Sequence, residues 1–362
     1  MPGCSGEIRG ILHNINLITL RMSNHAGHSG YDRLVDHLDC RVFSEPVRWR
    51  FFQRLVAKSL NWLAHRSGVR WYHRGAVYNE AAAACQWLKK SHQVFHFIYG
   101  ENSFRYLAEM KRTPMRNAVV ATYHTPPEKF RQLIPEPTFL KGLDAVVVVS
   151  NSQREIFSGL ISPDRVFFVP HGLDVHYFRP QERLHESNRE DRPFQCLFVG
   201  SHLRDFQTLS EVARRIADRD PAIRFCGVIP EAFHGGFRGI ENVTLMNRIS
   251  DERLLQLYQE ADLLVLPLID GTANNSILEA MGCGLPIVST DMPATWDYVD
   301  PECALLAPKG DVRSVVEAIE ALKNDPSKRK AFGGASRRRA LTFAWENIAF
   351  QMEEIYRVVL ED

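Results

Sequence analysis

Short, almost unbroken apolar runs alternate along this chain with segments whose apolar positions recur at helical spacing. In the first half the runs are GILHNINLITL (10–20), VFHFIYG (94–100), NAVVATYH (117–124), DAVVVVS (144–150) and RVFFVPHG (165–172). In the second they are FQCLFVGS (194–201), IRFCGVI (223–229), NVTLMN (242–247), DLLVLPL (262–268) and LPIVST (285–290). Strands read this way when both faces of the sheet are covered, as in parallel sheets. Strand alternating with helix is the signature of an α/β fold. Between the two series lies RPQERLHESNREDRP (179–193), rich in charge and without apolar periodicity. The pattern predicts two doubly wound, Rossmann-like parallel-sheet domains, 1–178 and 194–345, joined by a linker at 179–193. In such folds ligands bind beyond the carboxyl ends of the strands, and a cleft between domains is the expected place for a small molecule. The closing stretch FAWENIAFQMEEIYRVVLED has the spacing of an amphipathic helix.

Composition narrows the picture. At 362 residues the chain exceeds the size of one growing core, which agrees with two domains. A net charge of +1 excludes a globally polyanion-binding protein but not a local patch. Cysteines 4, 40, 85, 196, 226, 283 and 303 are dispersed without a CxxC pair or metal-type spacing, which reads as reduced thiols. The opening MPGCSGEIRGILHNINLITL carries Glu7, Arg9, His13 and Asn14 and so lacks the apolar core of a signal peptide. No window approaches the roughly 18 consecutive apolar residues that span a bilayer. A soluble, cytoplasmic chain is expected.

Candidate chemistry gathers in DGTANNSILEAMGCGLPIVSTD (270–291), directly after the run DLLVLPL. A strand, a small polar loop and a helix beginning near Asn275 are predicted, with the helix stopped by glycine. Backbone N–H groups near Asn274, Asn275 and Ser276, with the positive end of the helix dipole, suit a phosphate. The small residues Gly271 and Thr272 let a diphosphate approach the backbone. Glu279 has two readings. It accepts hydrogen bonds from a ribose diol within the first helical turn, or it closes the capping box Ser276-Ile277-Leu278-Glu279. Local pattern does not separate them.

The chain as a whole resembles the GT-B glycosyltransferases, specifically the retaining glycosyltransferase family 4, or glycosyl transferases group 1. LEAMGCGLPIVSTD resembles the donor-site segment of that family, and VVVVSNSQREIF its last N-domain strand and following helix. VFFVPHGLDVHYFRP resembles the lead into the linker, FVGSHLRDFQTL the first C-domain strand and turn, and WENIAFQMEEIYRVVL the closing helix. The match covers nearly all of 115–362 in order. It implies that Glu279 binds the ribose of a nucleotide-sugar and that Arg204, beside Gly200, neutralises the donor diphosphate. It also implies that the helix at 346–362 crosses back to the first domain. An Arg offers phosphate oxygens a planar fork of donors; its bland alternative is a solvated turn beside Asp205. The family carries a further glutamate eight positions before the first-named one, where this chain has Gly271. Asp270 next to it supplies a shorter carboxylate or merely caps its loop.

In the first half, His124 ends the run NAVVATYH just before two prolines, where similar enzymes have a histidine contacting the donor sugar. His171 in VPHGLD is a weaker candidate. Gly27 and Gly30 flank His28 and Ser29 in RMSNHAGHSGYDRL (21–34), a loop that in GT-B enzymes faces donor and acceptor; the spacing is not GxGxxG. The stretch 47–75 holds seven Arg or Lys and no Asp or Glu, interleaved with Trp49, Phe51, Phe52, Trp62, Trp71 and Tyr72. It reads as a peripheral contact with the inner face of a membrane, or as a core helix with a basic face. No nucleic-acid recognition module accompanies it.

The expected activity is transfer of a sugar from a nucleotide-diphosphate-sugar donor to a carbohydrate, lipid-linked or small-molecule acceptor. The resemblance implies retention of configuration, no essential metal and no cofactor. No Asp-x-Asp motif follows a first-half strand. The alternatives are a nucleotide-sugar 2-epimerase on the same scaffold and a non-catalytic nucleotide-sugar-binding protein.

Overall fold

The computed structural model describes residues 14–20, 27–44, 51–66, 68–181 and 192–361, with backbone alone for 51–56. The predicted linker thus lies mostly outside the described residues, as do Trp49 and the side chains of Phe51 and Phe52. The chain divides into two compact units: 1–25 with 30–172 and 345–362, and 26–29 with 173–344.

The first unit holds one parallel sheet of β1 (Ile15–Ile18), β2 (Arg41–Phe43), β3 (Val94–Phe97), β4 (Ala118–Tyr123), β5 (Ala145–Val148) and β6 (Val166–Phe168). Its order is β2-β1-β3-β4-β5-β6. The helices are α1 (Phe51–Arg66), α2 (Arg74–Trp87), the single turn α3 (Gly100–Ser103), α4 (Pro127–Leu133) and, from the end of the chain, the helix Trp345–Glu361. That last helix buries Trp345, Ile348, Met352, Ile355 and Tyr356 in the first unit.

The second unit's sheet comprises β7 (Phe194–Val199), β8 (Ile223–Val228), β9 (Val243–Met246), β10 (Leu263–Leu266), β11 (Ile287–Thr290) and β12 (Ala304–Ala307). Its order is β12-β11-β10-β7-β8-β9, all parallel. The helices are α5 (Phe206–Arg219), α6 (Asp251–Glu260), α7 (Asn275–Gly282), α8 (Pro293–Trp296), α9 (Val312–Asn324) and α10 (Pro326–Thr342). Their starts are set by short polar caps: Asp205 accepts from Thr208 N, Ser250 from Arg253 N, Asp311 from Ser314 N and Asp325 from Lys328 N. The strands β4, β5, β10 and β11 are buried along their whole length, which is why they read as near-continuous apolar runs.

Two strands escape the apolar-run reading, β2 and β12, and both sit at a sheet edge. Arg41 and Val42 are exposed on the three-residue β2, and β12 is buried only at Ala304 and Ala307. The three residues of β2 are too few and too polar to read as a run, and β12 is apolar throughout but only four residues long.

In each sheet the strand order reverses at one point, between β1 and β3 and between β7 and β10. Beyond the carboxyl ends of the strands at such a reversal the connecting loops diverge and leave a crevice. The sequence candidates all lie on those loops or next to them.

Candidate functional site

In the second unit the reversal brings the turn after β7 against the loop after β10. Gly200 opens the turn at φ +83, a conformation that favours glycine. A Cβ on Gly200 would stand 3.0 Å from Arg204 Nη2, so the bare backbone also makes room for the guanidinium. Arg204 pairs with Leu268 as an isolated bridge. Its Nε donates to Val199 O at 3.1 Å and its Nη1 to His202 O at 2.9 Å. Nη2 donates to Asn274 Oδ1 at 3.2 Å and to Ser276 Oγ at 3.1 Å. Burial brings the guanidinium down to about 10, with Glu279 opposing, so it stays protonated at neutral pH. A fixed cation thus rests on the residues that begin α7, where the helix dipole is already positive.

The cap of α7 is Asn274, whose Oδ1 accepts from Ile277 N at 3.4 Å. This overturns the capping-box reading of Ser276 and Glu279. Ser276 is the second residue of the helix, and its hydroxyl donates to Val199 O at 3.2 Å. Glu279 lies in the second turn rather than the first, too far along to return to the cap. Its side chain accepts instead from Ser29 Oγ at 2.5 Å and from Tyr258 OH at 2.8 Å. It is buried, and burial pushes its carboxyl up to about 7 despite both hydroxyls and the Arg204 charge. The helix ends as predicted: Gly284 donates to Met281 O at φ +75.

Asp270 turns back on its own loop, accepting from Gly271 N at 2.8 Å. Thr272 is buried, and Gly271 leaves open space where a Cβ would add only contacts at 3.9 Å. Asn275 is the first residue of α7. The segment 26–29 belongs to this unit. Gly27 N donates to Asp251 Oδ2 at 2.7 Å, and His28 stacks on Tyr177 at 3.5 Å with its Nδ1 2.9 Å from Asp174 Oδ2. Tyr258 and Ser29, which hold Glu279, carry no local sequence signal of that role.

The first unit holds Gly30, which precedes the 3-10 helix Tyr31–His37, and His124 beyond β4. The His124 ring sits 5.1 Å from that of Tyr31 and 4.8 Å from that of Tyr99. His171 packs between Tyr31 and Trp345, with Nδ1 2.7 Å from Gly172 O. Among the described residues no three His, Cys, Asp or Glu side chains gather as a metal-binding group.

Comparison with known proteins bears on this geometry. Residues 190–325 match the family model described as glycosyl transferases group 1. The structure of sucrose-phosphate synthase from Thermosynechococcus elongatus superposes with a TM-score of 0.69 at 19% identity, covering 96% of this chain and 99% of that one. The chain has the GT-B glycosyltransferase fold. Another GT-B likeness is Anabaena HepE, solved with UDP and glucose, at a TM-score of 0.62 and 13% identity over 94% of this chain and 98% of that one. Among sequence relatives, the MMP alpha-(1->4)-mannosyltransferase of Mycolicibacterium hassiacum is 28% identical over 59% of this chain and 53% of its own length. A D-inositol 3-phosphate glycosyltransferase of Corynebacterium aurimucosum is 26% identical over 64% of this chain and 60% of its own. The chain thus spans about half to three-fifths of the length of these curated relatives. The matched residues 190–325 include Gly200, Arg204 and the whole of α7.

Proposed function

We propose that this GT-B chain transfers a sugar from a nucleotide-diphosphate-sugar to an acceptor hydroxyl, with retention of configuration and without a metal. The observation that carries the reading is the Arg204 guanidinium fixed against Asn274 and Ser276 at the start of α7. A cation held at the positive end of a helix is unfavourable by itself. A diphosphate satisfies both, and it gains charge as the glycosidic bond breaks, so the same groups hold the transition state more tightly than the ground state. Glu279, in the next turn of α7, accepts the ribose hydroxyls. The departing phosphate oxygen takes the acceptor proton on the face it leaves, so no separate nucleophile is required. His124 contacts the donor sugar, and the loop around Asp270, Gly271 and Thr272, with Gly27 and Gly30, completes the donor contacts.

The stretch 47–75 gives the protein a contact with the anionic inner face of a membrane, in keeping with a lipid-linked acceptor. Trp62, Leu63 and Trp71 are exposed beside the exposed Lys58, Arg66, Arg70 and Arg74. Arg66 lies 4.6 Å over the Trp62 ring. Apolar rings with a basic surround suit an anionic headgroup layer. No helix among the described residues is long and apolar enough to cross a membrane.

A thermal-shift screen of UDP-, GDP-, ADP- and TDP-sugars tests the donor reading, since a ligand bound by the native state alone raises the melting temperature. A rise with at least one sugar nucleotide that disappears in Arg204→Ala is expected. No rise with any of them, or a rise unaffected by Arg204→Ala, overturns the donor site.

A further inference from the structure

The segment after β3 brings a buried carboxylate to His124 that nothing in the chain's local pattern marks as part of a site. Glu101, on α3, is only 3% exposed. It accepts from the backbone N–H of His124 at 3.2 Å, and its Oε1 lies 3.6 Å from His124 Nδ1. Gly100 permits this approach. A Cβ there would stand 2.7 Å from Tyr123 Cζ, so a larger residue would push α3 away from the end of β4.

We propose that Glu101 is the positioning residue of His124: its carboxylate holds Nδ1–H and leaves Nε2 as the working nitrogen. The proposal rests on the reading of His124 as a group at the donor sugar. A carboxylate on one ring nitrogen fixes the tautomer and orientation of the other and raises its basicity. Geometries of this kind, slightly long without substrate, tighten when the substrate arrives.

Other groups also face the imidazole. Tyr31 and Tyr99 meet it with ring faces and edges, and burial drives both phenols up and keeps them neutral. Asp32 acts on Tyr99. His96, on β3, is held down to about 3, chiefly by burial, and it stays neutral between Tyr356 OH and Thr122 Oγ1. Glu101 Oε1 stands within ion-pair reach of the ring.

The test is histidine-selective NMR of the full chain, with the His124 resonance identified by its absence in His124→Phe. Glu101→Gln keeps an acceptor for the His124 backbone N–H and removes the charge. The expected result is a His124 ring whose tautomer shifts away from Nδ1–H, read from its two ring-nitrogen resonances. An unchanged tautomer in a chain that melts like the wild type overturns the proposal. If Glu101→Gln does not fold, Glu101→Asp withdraws the carboxylate by one methylene and is read by the same signal. The activity reading fails separately: His124→Ala releasing UDP from UDP-glucose at the wild-type rate removes His124 from the site while leaving the Glu101 signature in place.

Discussion

Arg204 and Ser276 are joined by a hydrogen bond of 3.1 Å, so the turn after β7 is tied to the first turn of α7 before any ligand arrives. Such a cation is preorganised: it does not have to be gathered from solvent as charge develops on a leaving group.

Replacing Arg204 by Ala is therefore expected to lower kcat for donor turnover by roughly 10²–10³-fold, the scale seen for single preorganised donors to a developing anion. Lys at the same position should recover little, because one ammonium cannot serve Val199 O, His202 O, Asn274 and Ser276 together. Steady-state kinetics on the donor found by thermal shift decides this, and unchanged kcat in both variants refutes it.

Glu279 links donor binding to pH. Its carboxyl ionises near 4.5 in an unfolded chain and at about 7 in the folded one, chiefly because it is buried. The folded state holds the proton more tightly between those values, so this group favours the fold at low pH and loses that contribution as pH rises through 7. Glu80 of the first unit, buried under Tyr72 OH and the backbone N–H groups of Arg105 and Tyr106, has the same sign. Thermal melts of Glu279→Gln and Glu80→Gln should each fall less steeply between about pH 5 and pH 8 than those of the wild type. Donor affinity moves the opposite way: ribose hydroxyls need the ionised carboxylate, so KM should rise as pH drops below 7.

Much of the fold was legible because a central parallel strand must be apolar on both faces, and β4, β5, β10 and β11 are. What stayed hidden was hidden for physical reasons. Edge strand β2 is three residues with Arg41 and Val42 exposed, and β12 is an apolar run of only four residues closed by Pro308. Local pattern leaves a capping box at Ser276 open where Asn274 caps α7, because neighbouring amides and hydroxyls cap equally well on paper. Residue type and position suggest Glu279 and His124 as candidates, and the family resemblance adds Arg204. Their partners Ser29, Tyr258 and Glu101 are set by strand order, which no local pattern encodes.

Gly271 stands where the family resemblance calls for a carboxylate, and the space beside it is open. Gly271→Ala should change stability by no more than about 0.5 kcal/mol. Gly271→Glu should fold equally well and alter the ratio of kcat/KM among sugars on one nucleotide. An unaltered ratio removes this loop from sugar selection.

Gly172 offers the opposite case. A Cβ there would lie 2.2 Å from Trp345 Cε3. Gly172→Ala is expected to destabilise by about 1–3 kcal/mol or more, the cost of overpacking a filled core. Gly235→Ala, with nothing within 4 Å, serves as the control in chemical denaturation.

Within the second unit its first and last residues meet: Leu173 N donates to Phe343 O at 2.8 Å, and Leu173 pairs with Ala344. Beyond that point the final helix carries Trp345 against Tyr31 and Tyr356 against His96, deep in the first unit. On the ribosome, then, the half of the protein made first is the half completed last. Its sheet must wait through the synthesis of the entire second unit for the helix that closes its core.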